Sequence, residues 1–271
     1  MRIETFLHRH PVFRHEEFVA WKTKQGAIQA PSLNVALQYY LKTGKIIRIH
    51  RGLYAVVPPG QPTTSLSVDP YLIAAKSASD SVLAYHTALE LYGVAYSTFG
   101  QLTYFTKKKN KLFEFQGQWF RAVAHPLALK EKNQTLRFVQ TINRQGLDIH
   151  ITNPARTFVD VLDRVELCSG FEEVYRAIRN MVVLNIDEVI EYCLLLVNAC
   201  LAAKVGYFLE QRQGAFAVSK AQLKLLLAAK PKMPQYISKQ RHEEFQLIKK
   251  WNLLMPSRVI RQVWEEPNVD I

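Results

Sequence analysis

Three short segments in the first 45 residues have apolar residues at helical spacing. Segments 3–7 and 14–25 predict the first two helices, and Gly26 takes the position that ends the second. A third helix is predicted near Pro31 and Ser32, since proline suits a first turn and serine an N-cap. One face of this third helix is apolar at Leu33, Ala36, Leu37, Tyr40 and Leu41.

Two β-prone runs follow the third helix. Gly44 ends the helix, and the runs cover residues 45–50 and 53–57. Gly52 lies between them and suits a tight turn. Three helices followed by a small hairpin is the element order of a winged helix-turn-helix, and we predict that fold for the beginning of the chain.

A proline-rich polar segment divides the chain once. Residues 58–70 read PPGQPTTSLSVDP, and four prolines in this stretch prevent a continuous helix or central strand. We therefore predict a winged helix-turn-helix domain at residues 1–58, a linker at 59–69 and a larger domain at 70–271.

The larger domain has the pattern of an α+β fold, with an antiparallel-rich sheet and several helices. Predicted helices cover residues 70–78, 81–92, 154–164, 170–181, 187–211 and 219–229. Predicted strands cover residues 101–106, 112–115, 119–124, 136–141 and 147–152. The 187–211 helix is apolar almost all round, which predicts a central position. A strand-like run at 251–256 is expected to return to the sheet.

Composition excludes several classes of protein. Apolar residues make up 48% of the 271 residues, and 11 glycines with 12 prolines are too few for a disordered or collagen-like chain. The three cysteines form no CxxC pair, which favours a reducing compartment. The beginning of the chain lacks the apolar region of a signal peptide, and the most apolar stretch is shorter than a membrane helix. We expect a soluble, cytoplasmic protein without a membrane partner.

The net charge of +12 indicates a polyanionic partner. Residues 1–60 have nine basic and three acidic residues, so about a fifth of the chain has half of the net charge. Residues 161–200 are instead acidic, with three basic and seven acidic residues. The charge therefore predicts separate surfaces, of which the predicted winged helix is the most basic.

The outward face of the third helix suits a DNA major groove. We predict that Asn34, Val35 and Gln38 contact bases, since amides pair with adenine and Val contacts a thymine methyl group. Further residues of this helix and of the hairpin are predicted to contact phosphates: Tyr39, Lys42, Lys45, Arg48, His50 and Arg51. A lysine cluster in a predicted hairpin turn adds four candidate phosphate contacts, although such turns are also lysine-rich for solubility: Lys107, Lys108, Lys109 and Lys111.

No catalytic, metal or cofactor site is predicted. The chain has no P-loop, no GxGxxG and no GxSxG motif. His8, His10 and His15 lack Cys or carboxylate partners at ligand spacing. Asp160 and Asp163 share one face of a predicted helix, where ion pairing with Arg156 and Arg164 is favoured over a catalytic pair.

Four motifs, in the same order along the chain, resemble the AbiEi-type antitoxin family. LKTGKIIRIHRGLY at 41–54 is similar to the end of the family's recognition helix and its wing. HTALELYGV at 86–94, NPARTFVDVLDR at 153–164 and GYFLEQ at 206–211 resemble segments of its second domain. Gly170 stands alone where relatives often have two glycines, and the resemblance thins after about residue 215.

The resemblance implies a transcriptional repressor of its own promoter and an antitoxin of a type IV, abortive-infection toxin–antitoxin system for phage defence. It implies a cognate toxin with a nucleotidyltransferase-like fold, and no enzymatic activity of this chain. Two alternatives stay open: a winged-helix nuclease or nucleotidyltransferase using Asp160, Asp163 and the lysine cluster, and a transcriptional regulator without antitoxin activity.

Overall fold

A computed structural model describes residues 3–26, 30–109, 112–237 and 244–261, without the side chains of residues 30–33. The fold is α+β. The chain divides into two units, the first formed by Met1–Leu83, Gly100–Ala124 and Gln140–Ile151 and the second by Ala84–Phe99, His125–Val139 and Thr152–Ile271. The predicted limits at residues 58 and 70 fall inside the first unit and stay predictions.

The first unit begins with helices and a small sheet, then continues into a larger sheet. Its helices are α1 Ile3–Arg9, α2 His15–Thr23, α3 Ala30–Lys42 and α4 Pro70–Lys76. Its strands are β1 Val12–Arg14, β2 Ile46–His50, β3 Leu53–Val56, β4 Val82–Leu83, β5 Gln101–Phe105, β6 Phe113–Phe115, β7 Gln118–Val123, β8 Val139–Arg144 and β9 Leu147–Thr152. A 3₁₀ turn covers Thr63–Ser65.

An aromatic core joins the first three helices to the small sheet. Strand β3 pairs antiparallel with both β1 and β2, so it lies at the centre. The core contains Phe6, Leu7, Phe13, Phe18, Leu37, Ile46 and Tyr54. Phe6 makes edge contacts with Phe13 and Phe18, at ring-centroid distances of 5.2 and 5.6 Å. Such pairs add to the apolar burial that holds the helices on the sheet.

The six-stranded sheet has the order β6-β7-β5-β4-β9-β8 and is mixed. Strand β4 pairs antiparallel with β5 and parallel with β9, while β7 pairs parallel with β5 and antiparallel with β6. The sheet thus combines antiparallel and parallel pairs, and the predicted hairpin between residues 106 and 112 is wrong, because β5 and β6 do not pair. Because β7 lies between β5 and β6, the lysine cluster follows β5 in a crossover connection.

The second unit is mainly helical. Its helices are α5 His86–Leu91, α6 Leu127–Glu131, α7 Pro154–Asp163, α8 Phe171–Arg179, α9 Ile186–Leu195, α10 Ala199–Gln211, α11 Lys220–Ala229 and α12 Ser257–Ile260. A 3₁₀ turn covers Val165–Leu167. Strands β10 Gln235–Tyr236, β11 Phe245–Ile248 and β12 Leu253–Pro256 form a separate sheet. The prediction that residues 251–256 return to the main sheet is wrong.

Two predicted helices are interrupted. The 81–92 segment begins with strand β4, and α5 starts only at His86. The 187–211 segment is two helices, because Val197 has a positive φ of 53° and Asn198 caps α10 by accepting a hydrogen bond from the Leu201 N–H at 3.1 Å. Asn is a strong N-cap residue, and a new start within the segment follows from it.

A buried polar network joins α7 to its neighbours in the second unit. The Arg156 guanidinium donates to the carbonyls of Thr135 and Arg137 at 3.0 and 2.9 Å and pairs with Asp160 at 3.3 Å. The Tyr192 hydroxyl donates to the other Asp160 oxygen at 2.6 Å. Burial raises the pKa of Asp160 to about 6, although Arg156 and Tyr192 act in the opposite direction.

Helix α10 and Trp251 are in close contact at Gly206. Trp251 is fully buried, and its ring nitrogen donates to Glu210 at 2.8 Å. A Cβ atom at Gly206 would lie 2.1 Å from the Trp251 ring. Gly206 therefore leaves the space that the indole occupies.

We expect Gly206→Ala to destabilise the protein by up to about 2 kcal/mol, because overpacking against the Trp251 ring costs up to about 3 kcal/mol and alanine gains roughly 1 kcal/mol in a helix. Gly214→Ala is the matched control, since nothing lies within 4 Å of a Cβ atom there. Urea unfolding with tryptophan fluorescence measures both variants. Equal stability of the two variants would contradict the close packing of Trp251 on Gly206.

The raised pKa of Asp160 predicts a pH-dependent stability. Its ordinary pKa is 3.8 and its folded value is about 6, so the folded state binds more protons between these values and stability falls as pH rises through them. Compared with Asp160→Asn, the wild-type free energy of unfolding should fall by on the order of 2–3 kcal/mol between pH 4 and pH 7. Urea unfolding across this range checks it, with the exposed Asp148→Asn as control; a pH-independent difference would contradict it.

Candidate nucleic-acid interface

Helix α3 exposes the face whose residues the sequence predicts to contact bases. Leu37 is buried in the aromatic core, and Ala36, Tyr40 and Leu41 pack against that core. On the opposite side, Val35 and Tyr39 are 69% and 57% exposed. Asn34, Gln38 and Lys42 are also exposed. A polar helix face with two large exposed apolar side chains is typical of a contact surface.

The β2–β3 hairpin places its cations beside α3. Arg48 lies opposite Tyr54, and its guanidinium is 5.9 Å from the Tyr54 ring centroid. Lys45 lies 5.8 Å from the Tyr40 ring centroid, so the hairpin and the helix share this contact. Lys45, Arg48 and Arg51 are exposed. Gly52 closes the turn with a φ of +82°, which glycine adopts without strain.

His50 differs from the other predicted hairpin residues because it is half-buried. Its ring donates from Nδ1 to the Arg51 carbonyl at 2.9 Å and makes an edge contact with Phe113 at 4.4 Å. Burial lowers the pKa of His50, although the bond to Arg51 acts in the opposite direction. Its ring is therefore neutral near pH 7, and Lys45, Arg48 and Arg51 supply the positive charge of the hairpin.

His15, at the start of α2, connects the hairpin tip to α3. Its backbone N–H donates to the Gly52 carbonyl at 2.8 Å. Its ring nitrogen Nε2 lies 3.2 Å from Asn34 Oδ1, which accepts the hydrogen bond. The predicted base contact Asn34 is thus held through its oxygen, and its amide nitrogen is the group left for a ligand.

A cleft of about 610 Å³ lies beside this connection within the first unit. It is lined by three of the predicted site residues of α3 and the hairpin, Asn34, His50 and Arg51, and by Lys108. The structure thus brings one residue of the lysine cluster to the hairpin. Val35, Gln38, Tyr39, Lys42, Lys45 and Arg48 are not among the residues that line this cleft.

The lysine cluster is anchored by Asp80. Its carboxylate accepts hydrogen bonds from the Thr106 hydroxyl at 2.6 Å and the Lys107 N–H at 2.8 Å. The Lys108 N–H then donates to the Thr106 hydroxyl at 3.0 Å. The side chains of Lys107, Lys108 and Lys109 are exposed, and Lys111 lies outside the described residues. Of these three lysines, Lys108 lines the cleft.

Sequence reasoning missed two cations of the cleft, Arg14 and Lys76. Both pair with Glu17, at 3.4 Å for Arg14 and 2.7 Å for Lys76. Burial acts to raise the pKa of Glu17, but the Arg14 backbone N–H and the two cations outweigh it and lower the pKa. The basic cluster at residues 9–15 could have indicated Arg14, whereas Lys76 is 59 positions from Glu17 and no local pattern points to it.

The carboxylates of the enzyme alternative do not form one accessible pair. Asp160 is 2% exposed, and both of its oxygens bind within the buried network. Asp163 accepts a hydrogen bond from Asn198 at 3.2 Å and lines a separate cavity of about 670 Å³. This geometry gives Asp160 a structural role in the second unit.

Among the residues that the structure describes, no group of three or more His, Cys, Asp or Glu side chains could hold a metal ion. Of the clustered histidines, His10 binds the Phe6 carbonyl at 2.9 Å and His15 binds Asn34. None of the helices in the described ranges has the length and apolar character that crossing a bilayer requires.

Comparison with known proteins identifies a similar fold. No protein-family model and no curated protein matches the chain. Among solved structures, the chain is similar to the crystal structure of the RV2827C protein from Mycobacterium tuberculosis, with a TM-score of 0.62 and 15% sequence identity. The match covers 98% of this chain and 94% of that chain, and at this identity it shows the likeness of the fold alone.

Proposed function

We propose that this protein is a DNA-binding repressor of its own promoter, with a winged helix-turn-helix at residues 1–58. In this proposal α3 is the recognition helix and the β2–β3 hairpin is the wing. The observation that supports it is the exposed face of α3, with Val35 and Tyr39 in solvent directly beside a cationic hairpin. A helix of this width fits a B-DNA major groove.

The residues divide into two roles. Asn34, Val35 and Gln38 contact base edges, since they lie on the exposed face of α3. Contacts to the DNA backbone come from the hydroxyl and cationic groups around them: Tyr39, Lys42, Lys45, Arg48 and Arg51. His50, neutral and half-buried, supports the hairpin tip through its bond to Arg51.

We further propose that the protein is a cytoplasmic antitoxin that opposes a nucleotidyltransferase-like toxin without being an enzyme itself. The proposal rests on the four motifs that resemble segments of AbiEi-type antitoxins. Three of them hold the second unit together: Tyr92 binds the Thr152 carbonyl at 2.5 Å, Arg156 pairs with Asp160, and Gly206 accommodates Trp251. Structural roles for these residues favour a binding protein over the nuclease alternative.

The DNA proposal predicts a strong salt dependence. With five or six phosphate contacts, log K for promoter DNA should fall with log salt at a slope of about −5. Arg51→Ala should weaken binding similarly on all duplexes, whereas Gln38→Ala should change the preference among sequences. Fluorescence anisotropy with promoter and scrambled duplexes measures both effects.

Lys224→Ala, an exposed lysine of α11, is the control and should bind as the wild type does. Salt-independent binding, or a uniform loss on all sequences for Gln38→Ala, would contradict the assigned roles. The same mixtures with Mg²⁺ or Mn²⁺ should leave the duplex intact. Metal-dependent cleavage that Asp160→Asn abolishes would support the enzyme alternative instead.

The antitoxin proposal predicts the outcome of co-expression with the neighbouring gene. The neighbour alone should arrest growth of a bacterial host, and the wild-type protein should restore growth. A Gln38→Ala, Arg51→Ala double variant, produced from an independent promoter, should restore growth too, because three of the four motifs behind the antitoxin proposal lie in the second unit, which contains neither residue. A harmless neighbour would contradict the antitoxin proposal and leave DNA binding untouched.

A further inference from the structure

The cleft beside the hairpin is lined by cations from four distant parts of the chain. Arg14 precedes α2, Arg51 is at the hairpin tip, Lys76 ends α4, and Lys108 follows β5. We propose that this cleft is a phosphate-binding site in which Arg51 and Lys108 hold one phosphate group between them.

The four cations of the cleft differ in whether they form an ion pair. Arg14 and Lys76 both pair with the one carboxylate of Glu17, which holds both side chains in ion pairs and compensates one of their two charges. Within the described part of the chain, no ion pair is formed by Arg51 or Lys108. Glu16 is the one carboxylate that lines the cleft among the described residues. Arg51 and Lys108, which no ion pair of the described residues holds, are therefore the groups placed to bind an anion, and the excess positive charge of the cleft attracts it.

The neutral groups of the cleft also favour a phosphate. His15 occupies the oxygen of Asn34, which leaves an amide donor for a ligand oxygen. A volume of about 610 Å³ lies within the usual range of ligand sites. Arginine binds phosphate as a planar fork and lysine as a point charge, so together they can hold different oxygens of one group.

The backbone that bears Lys108 is fixed before any ligand binds. Asp80 accepts hydrogen bonds from Thr106 and Lys107, and Thr106 accepts the Lys108 N–H. This places Lys108 at the cleft, whereas its neighbours Lys107 and Lys109 have the same charge but do not line it. Lys107 and Lys109 are therefore matched controls for a substitution of Lys108.

Two sources can supply the phosphate. One is the backbone of duplex DNA, and this source rests on the proposed DNA binding. The other is a small phosphate compound, for which the cleft alone suffices. In either case, the site combines Arg14 and Arg51 of the predicted DNA-binding domain at 1–58 with Lys76 and Lys108, which lie outside that domain.

The experiment uses the full-length protein and three single variants, Lys107→Ala, Lys108→Ala and Lys109→Ala. Promoter duplex binding is measured by anisotropy across a salt series, and AMP and inorganic phosphate binding by calorimetry at low salt. We expect Lys108→Ala to lose at least about fivefold in affinity for the duplex or for AMP, with a salt slope for the duplex that is smaller by about 1. Lys107→Ala and Lys109→Ala should each change affinity by less than about twofold.

A double-mutant cycle tests whether the two cations share one phosphate. If they do, the loss for Arg51→Ala combined with Lys108→Ala should be smaller than the product of the two single losses. Additive losses would contradict a shared phosphate. Circular dichroism and thermal unfolding confirm that each surface variant folds.

The outcomes separate this proposal from the proposed function. If all three lysine variants lose the same affinity for the duplex, and the protein binds neither AMP nor phosphate, the proposed phosphate site in the cleft is wrong and the proposed DNA binding stands. AMP or phosphate binding that requires Lys108, without duplex binding, would support the cleft and overturn the DNA proposal. If Lys108→Ala loses affinity for the duplex alone, the DNA backbone is the source of the phosphate. If it loses affinity for AMP or phosphate alone, the source is a small phosphate compound.

Discussion

Helix α3 presents Val35 and Tyr39 to solvent because Leu37, on its other side, is buried in the aromatic core with Phe6, Phe13 and Phe18. That burial fixes the rotation of the helix about its axis. Ile46 and Tyr54 belong to the same core, so the hairpin is held in a fixed position next to the helix. The exposure of this helix face and the position of the hairpin beside it follow from this shared core.

Polar contacts refine the arrangement that the core imposes. His15 binds both the hairpin tip and Asn34, which connects the turn at Gly52 to the first turns of the exposed helix face. Glu17 holds both Arg14 and Lys76 in ion pairs, whereas Arg51 and Lys108 form none among the described residues and are the cations available to an anion. The distribution of ion pairs, more than the net charge of +12, therefore decides where an anion is held.

Local patterns predicted the elements but not their long-range pairing. The three N-terminal helices, the hairpin and the exposed side of α3 follow from helical periodicity and from Gly52, which are local properties. The parallel pairing of β5 with β7 passes over the intervening strand β6, and no local pattern shows which of the two strands pairs with β5, so the prediction of a hairpin tip at the lysine cluster is wrong. The break at Val197 was missed because an apolar run conceals a cap such as Asn198.

Photo-crosslinking from Val35 tests whether the exposed face of α3 lies in a DNA groove. A photoreactive phenylalanine analogue at position 35 is illuminated with promoter DNA, and the analogue at Val182, which is 90% exposed in the second unit, is the control. We expect crosslinks from position 35 to bases at one defined site, and none from position 182. Bound DNA without crosslinks from position 35, or with crosslinks only from position 182, would contradict it.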